Sequence, residues 1–317
     1  MSLYYPNPAY IRENFSVRHF FFSSLITYAC LAVLLNAAGC NKNLSADTTG
    51  ADTIGISFNQ TPVAYPLTTY ISEASGIADS KINPGYLWVE EDSGNPPQLY
   101  LLDHTAATVK KIYIKGAANI DWEDIALAAG PDASKKYLYV AEIGDNDAIH
   151  TSSAFYRFEE PAATTDTVRV FDVISFTYED GPRDAEAFLV DDNTKDIYII
   201  TKRDAKSRIY KLSYPYSSTS MNTAVFAGTL PYTGVVSAAA SSDGKSIIIK
   251  TYPALYYYSR AAGETMPQSL QKDVTDIAYQ LEPQGEAVGF ALDNTGFYTL
   301  SEKGNASAQS LYFYKKK

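Results

Sequence analysis

One short pattern recurs five times along the chain: LYLLD from Leu99, FYRFE from Phe155, IYKLS from Ile209, LYYYS from Leu255 and LYFYK from Leu311. Each copy is aromatic and β-prone, and each is bounded by Gly, Pro, Asn, Asp or Ser, so each reads as a strand. A strand that recurs with similar flanks is one part of a repeated unit, and such units bury their apolar faces only against one another. This repeat limits the fold more than any other feature of the sequence.

Laying the remaining strand-like runs over it gives units of four strands, here A to D. Unit one runs Ala74–Ala78, Tyr86–Glu90, Gln98–Leu102 and Lys110–Ile114. Unit two has Glu123–Ala128, Tyr137–Ala141, Ala154–Phe158 and Val173–Tyr178, and unit three Glu186–Val190, Asp196–Thr201, Arg208–Leu212 and Ala224–Leu230. Unit four is degenerate: Val235–Ala240, Ser246–Lys250, Leu255–Ser259 and Thr275–Tyr279. Unit five offers Glu286–Leu292, Gly296–Leu300 and Ser310–Tyr314, then lacks a D strand. Helix signals are nearly absent, with one candidate turn or two near Pro267 to Asp273. The predicted fold is therefore all-β, a five-bladed β-propeller with about 52 residues per blade. The run Val63 to Ile71 is expected to pair with the last unit and close the ring. The interval between units two and three is the longest, which leaves a six-bladed ring as the alternative.

Residues 1–39 lie outside this pattern. Arg12 and Arg18 precede an apolar run, Phe20 to Leu35, that ends on the small residues Ala37-Ala38-Gly39 before Cys40. That order is the n-region, h-region and cleavage site of an export signal. Residues 40–56 are polar and small, a flexible tether to a propeller at 57–317. Cys30 falls inside the signal, so the mature chain has a single cysteine and cannot form a disulfide. The chain carries a formal −10, and the first 39 residues contribute +1, leaving a mature chain at −11. Such a charge argues against nucleic acid as a partner.

In an antiparallel unit of four strands, the D-to-A and B-to-C loops open on one face. Those loops hold Glu73, Asp121, Glu123, Arg183, Asp184, Glu186 and Glu286, together with Asp92, Asp145, Lys202, Lys250, Glu302 and Lys303. Glu123, Glu186 and Glu286 begin three inner strands and should converge on the central channel, where like charges repel unless neutralised. Two neutralisers are open. A hard cation such as Ca²⁺ takes six to eight oxygen ligands, and Lys202, Lys250 and Lys303 offer an ion-pair ring. The loop Ile143-Gly144-Asp145-Asn146-Asp147 has a calcium-like composition, and the same composition also suits an Asx or glycine turn. Candidate metal ligands are thus Glu123, Glu186, Glu286 and Asp145. Candidate ligand-binding residues are Asp92, Asp121, Arg183, Lys202, Lys250 and Lys303. Trp88 and Trp122 read as packing between units. With only His104 and His150 in the mature chain, no Ser-His-Asp set assembles, and no GxSxG, HExxH, CxxC or P-loop occurs.

Two resemblances add to this reading. The AAGC run resembles a bacterial lipoprotein signal, which implies that Cys40 is acylated and anchors the protein to a membrane it does not span. The implied location is the outer membrane, on its periplasmic side or at the cell surface. The segments DWEDIA, LYVAEIGDND, FYRFEEP, RDAEAFLVD and IYIITKRD resemble secreted bacterial propellers of unknown role, and distantly the phytase-like and esterase-like propeller superfamily. The phytase resemblance implies calcium at an acidic channel mouth with basic residues holding phosphate, roles that Glu123, Glu186, Glu286, Arg183 and Lys202 are placed to carry. The expected function is a ligand-binding or interaction module for a small molecule or protein. A calcium-dependent phosphoester or ester hydrolase is the alternative.

Overall fold

A computed structural model describes residues 57–317; the expected export signal (1–39), Cys40 and the whole of the expected tether (40–56) lie outside them. The first unit is β2 (Ala74–Asp79), β3 (Tyr86–Glu91), β4 (Gln98–Asp103) and β5 (Val109–Ile114) in antiparallel succession. The second is β6 (Trp122–Ala129), β7 (Lys136–Glu142), β8 (Ser153–Glu159) and β10 (Asp172–Tyr178). The third is β11 (Ala185–Val190), β12 (Ile197–Thr201), β13 (Arg208–Leu212) and β14 (Asn222–Thr229). The outer strands of these two units pair in parallel, which fuses them into one eight-stranded sheet. The fourth unit is β15 (Val235–Ala240), β16 (Ser246–Thr251), β17 (Leu255–Ser259) and β18 (Thr275–Ile277). The last is β19 (Ala287–Phe290), β20 (Gly296–Leu300) and β21 (Ser310–Lys315).

The first strand of each unit touches the first strands of the units before and after it, and β19 touches β2, so the inner strands form a ring. The architecture is that of a β-propeller. β1 (Val63–Pro66) supplies the outer strand of the last sheet, pairing antiparallel with β21 from Val63–Phe313 to Pro66–Ser310. It is shorter than the Val63–Ile71 run suggested, because Leu67 and Ile71 turn inward to pack in the cluster that includes Leu87, Leu300 and Leu311. The long interval between β8 and β10 holds a single two-residue strand, β9 (Thr167–Val168), which adds to the edge of the first sheet beside β5. The one helix among the described residues is α1 (Met266–Leu270). Thr265 caps it and Gln268 completes a capping box.

Small residues on the inner strands let them approach the axis. A Cβ on Gly76 would stand 2.6 Å from Ile125 N and 2.8 Å from Asp124 Cα, and one on Gly289 2.7 Å from Ile77 O. Large side chains fill the wedges between sheets instead. Trp88 and Trp122 both belong to the buried cluster between the first and second units, as the sequence suggested. Trp88 donates its indole N–H to Glu160 Oε1, and Trp122 to the Ala118 carbonyl.

Candidate functional site

The ladder between A and B strands carries the same irregularity in unit after unit. The register shifts between Ala74 and Gly76, Trp122 and Asp124, Ala185 and Ala187, and Val235 and Ser237. The extra residue in each bulge is Ser75, Glu123, Glu186 or Val236. Glu286 holds the corresponding place just ahead of β19, since Glu302 N donates to Gln284 O as Lys202 N does to Asp184 O. A bulge bends its strand and re-aims the residue it contains, here turning these side chains to the end of the ring where the inner strands begin. In unit four that residue is Val236. Ser237, the next residue, corresponds to Asp124.

The same register fixes the residue that leaves each B strand. Asp92, Lys202 and Glu302 are equivalent, each donating its backbone N–H to the loop before its A strand, and Tyr252 occupies that position in unit four. The mouth of the ring is therefore built from two tiers, the bulge residues and the residues at the B-strand exits. Acids occupy three of the five bulge positions and two of these four exit positions, and Asp121 adds another. Asp92, Asp121 and Glu123 bring carboxylate oxygens within 4.8 Å of one another, and so do Asp92, Glu286 and Glu302. Glu186 lies beside them, its Oε1 taking a hydrogen bond from Lys202 Nζ. Tyr252 Oη donates to Glu286 Oε1 and lies 3.4 Å from Lys202 Nζ.

Burial and crowding shift these groups strongly. Burial, reinforced by Glu186 and Asp92, holds the Glu123 carboxyl well above the usual glutamate range. Glu186 is pushed up to about 8, because burial outweighs the help of Lys202. Glu302 also rises to about 8, first through burial and then through Glu286 beside it. Burial and the neighbouring carboxylates lift Asp92 to about 6, against the pull of the Ser93 amide. Lys202 stays above its ordinary value despite burial, because Glu186, Glu286 and Glu123 all favour its charge. One ammonium thus serves six carboxylates.

The remaining sequence candidates are placed elsewhere. Lys250 does not join an ion-pair ring: two residues before the exit position, it is 0% exposed and pairs with Glu282 at 2.8 Å. Lys303, one residue past the exit, donates to the Ala306 carbonyl and lies over the Tyr70 ring. Of the expected ring, only Lys202–Glu186 forms. Arg183 is held by Asp180 and Asp204. The Asp145 carboxylate accepts the Ile149 and His150 amides, closing its own loop as an Asx-type turn, and it belongs to neither carboxylate triad.

Three further residues at the mouth were not among the candidate site residues read from the sequence. Tyr252 emerges only from counting strand register. Gly144 packs so closely on the Asp121 and Glu123 carboxylates that a Cβ there would collide with both. Glu90, on β3 opposite Gly76, is fully buried, and neither of its oxygens has a hydrogen-bond partner among the described residues.

Below the mouth the axis is blocked. Asp124 accepts hydrogen bonds from Ser237 Oγ at 3.3 Å and Ala238 N at 3.2 Å, reaching across the ring from β6 to β15. Beyond this crossbar lies a cavity of about 150 Å³ lined by Ala78, Ala128, Ala239, Ala240 and Gly289 among others. Acids at its rim are paired, Asp191 with Arg260 and Asp192 with Lys136. The uncompensated charge is at the mouth.

No protein-family model matches the chain, and no curated protein matches it. Among solved structures it is similar to the Kuenenia stuttgartiensis hydrazine synthase, with 13% identity and a TM-score of 0.37, over 74% of this chain and 56% of that one. It is also similar to the holo form of the pyranose dehydrogenase PQQ domain from Coprinopsis cinerea, with 9% identity and a TM-score of 0.46, over 82% of this chain and 97% of that one. A chain of a nidogen/laminin complex matches at 9% identity and a TM-score of 0.41, with 75% of each chain covered. Likeness at this level says nothing about the chemistry of the mouth.

Proposed function

We propose that this chain is an exported, lipid-anchored five-bladed propeller that acts as a binding module, with a hard divalent cation at its mouth. Ca²⁺ is the cation the site suits best. The observation that carries this reading is the charge imbalance: six carboxylates converge, and Lys202 is the only ammonium among them. Carboxylate oxygens are the ligands Ca²⁺ prefers. A bound cation would present its open coordination positions to an anionic or carbonyl group of a small molecule or protein. Support for five blades comes from the ring of five inner strands, each heading its own antiparallel group. The alternative of a calcium-dependent hydrolase gains less support, since Lys250 and Arg183 are committed elsewhere and only Lys202 remains to hold a phosphate.

Thermal unfolding in the presence of Ca²⁺ tests the cation. A ligand that binds only the folded state stabilises it by about 2.7 kcal/mol at a hundred times its Kd, which for a chain of this size means a rise in Tm of several degrees. Chelator should reverse the rise. An unchanged Tm at millimolar Ca²⁺ would remove the cation from this reading and leave only a protein-docking face.

A further inference from the structure

The mouth carboxylates divide into two sets with one shared member. Asp92, Asp121 and Glu123 form one, and Asp92, Glu286 and Glu302 the other, with the chosen oxygens of each set within 4.8 Å of one another. Oxygens bound to a single Ca²⁺ at 2.3–2.6 Å lie at most about 5 Å apart, so each set spans one coordination sphere. Their placement follows from the ring. Asp92 leaves β3 in the first unit, which lies between the second unit, bearing Asp121 and Glu123, and the last, bearing Glu286 and Glu302.

Each set also contains a nearly buried carboxylate with unused acceptor capacity. Glu123 is 4% exposed, and its carboxylate takes no hydrogen bond among the described residues. Glu286 is equally buried, and its Oε2 has no partner although Oε1 accepts from Tyr252. A buried oxygen such as Glu286 Oε2 is costly to leave unpaired. Gly144 keeps space open against the first set, where any side chain would strike Asp121 and Glu123.

We propose that the mouth holds two hard divalent cations, bridged by the Asp92 carboxylate, with Asp121 and Glu123 completing one site and Glu286 and Glu302 the other. Charge favours the pair. Once ionised by cation binding, the five carboxylates of the two sets would carry −5, which one divalent ion reduces to −3 and two reduce to −1, while Lys202 pairs with Glu186 separately. This inference rests on the cation reading above but makes a separate claim about number.

Calorimetric titration of Ca²⁺ into the full, detergent-solubilised chain after chelator treatment decides the number. Two equivalents are expected for the wild type. One equivalent should remain in Asp121→Asn and in Glu302→Gln, and Asp92→Asn should weaken both sites at least tenfold. Each variant removes a charge from a crowded site, so each should melt in chelator no lower than the wild type, which shows that it is folded. A single equivalent that both Asp121→Asn and Glu302→Gln abolish would overturn the paired site and leave a one-cation mouth standing. No binding to the wild type would overturn both.

Discussion

Glu186 and Glu302 set how the cation-free protein responds to pH. Both hold their protons up to about pH 8 in the folded state, while in the unfolded chain they release them near 4.5. Between those values the folded state binds more protons, so this contribution to stability is complete below about pH 4.5 and is lost as pH rises through 8. In chelator, Tm should therefore fall between about pH 5 and 8 and level off above that. Saturating Ca²⁺ should flatten that slope, because the cation replaces the protons. A Tm in chelator that climbs across the same window would show that these carboxyls are ionised without a partner. Lys250 illustrates the opposite outcome at the scale of one residue. Bonded to Glu282 and the Ala287 carbonyl and lying over the Tyr279 ring, it holds the fourth sheet to the loop before β19 and, fully buried, is out of a ligand's reach.

Strands, more than single residues, decide what reaches the mouth. The repeat of aromatic C strands was plain in the sequence, and with it the number, order and approximate bounds of most strands, because β-prone runs between turn residues are locally encoded. Register was not. Side chains alternate faces with a period of two, so a shift of one residue sends a group to the other side of the sheet. Lys303 stands one residue past the exit position and Lys250 two before it, which is why a ring of lysines looked reasonable and does not form. The bulges that aim Glu123 and Glu186 leave no clear mark in sequence, and Val236 shows that the position tolerates an apolar residue. Close approach of inner strands gives a prediction at this scale. Gly76→Ala would press a methyl group onto backbone atoms of β6 that cannot move aside, and should destabilise the fold by about 1–3 kcal/mol in chemical denaturation. A change under about 0.5 kcal/mol would mean that the inner strands are less tightly set than these distances imply.

For the whole molecule, the proposed export and anchoring would depend on residues outside the described ring. Cys40→Ala should move the protein from the membrane fraction to the soluble fraction without altering its Tm, since no acyl chain is part of the folded sheets. Retention in the membrane fraction would instead point to an uncleaved apolar segment as the anchor. The ring itself is joined by its ends: β1, from the beginning of the described chain, completes the sheet formed by β19, β20 and β21 from its end. A chain still being synthesised lacks β21, so β1 has no partner until the last residues appear. The contact that seals the circle is thus among the longest-range in the sequence and the last to become available. A polypeptide that must thread through a translocation channel before it folds would gain from that delay.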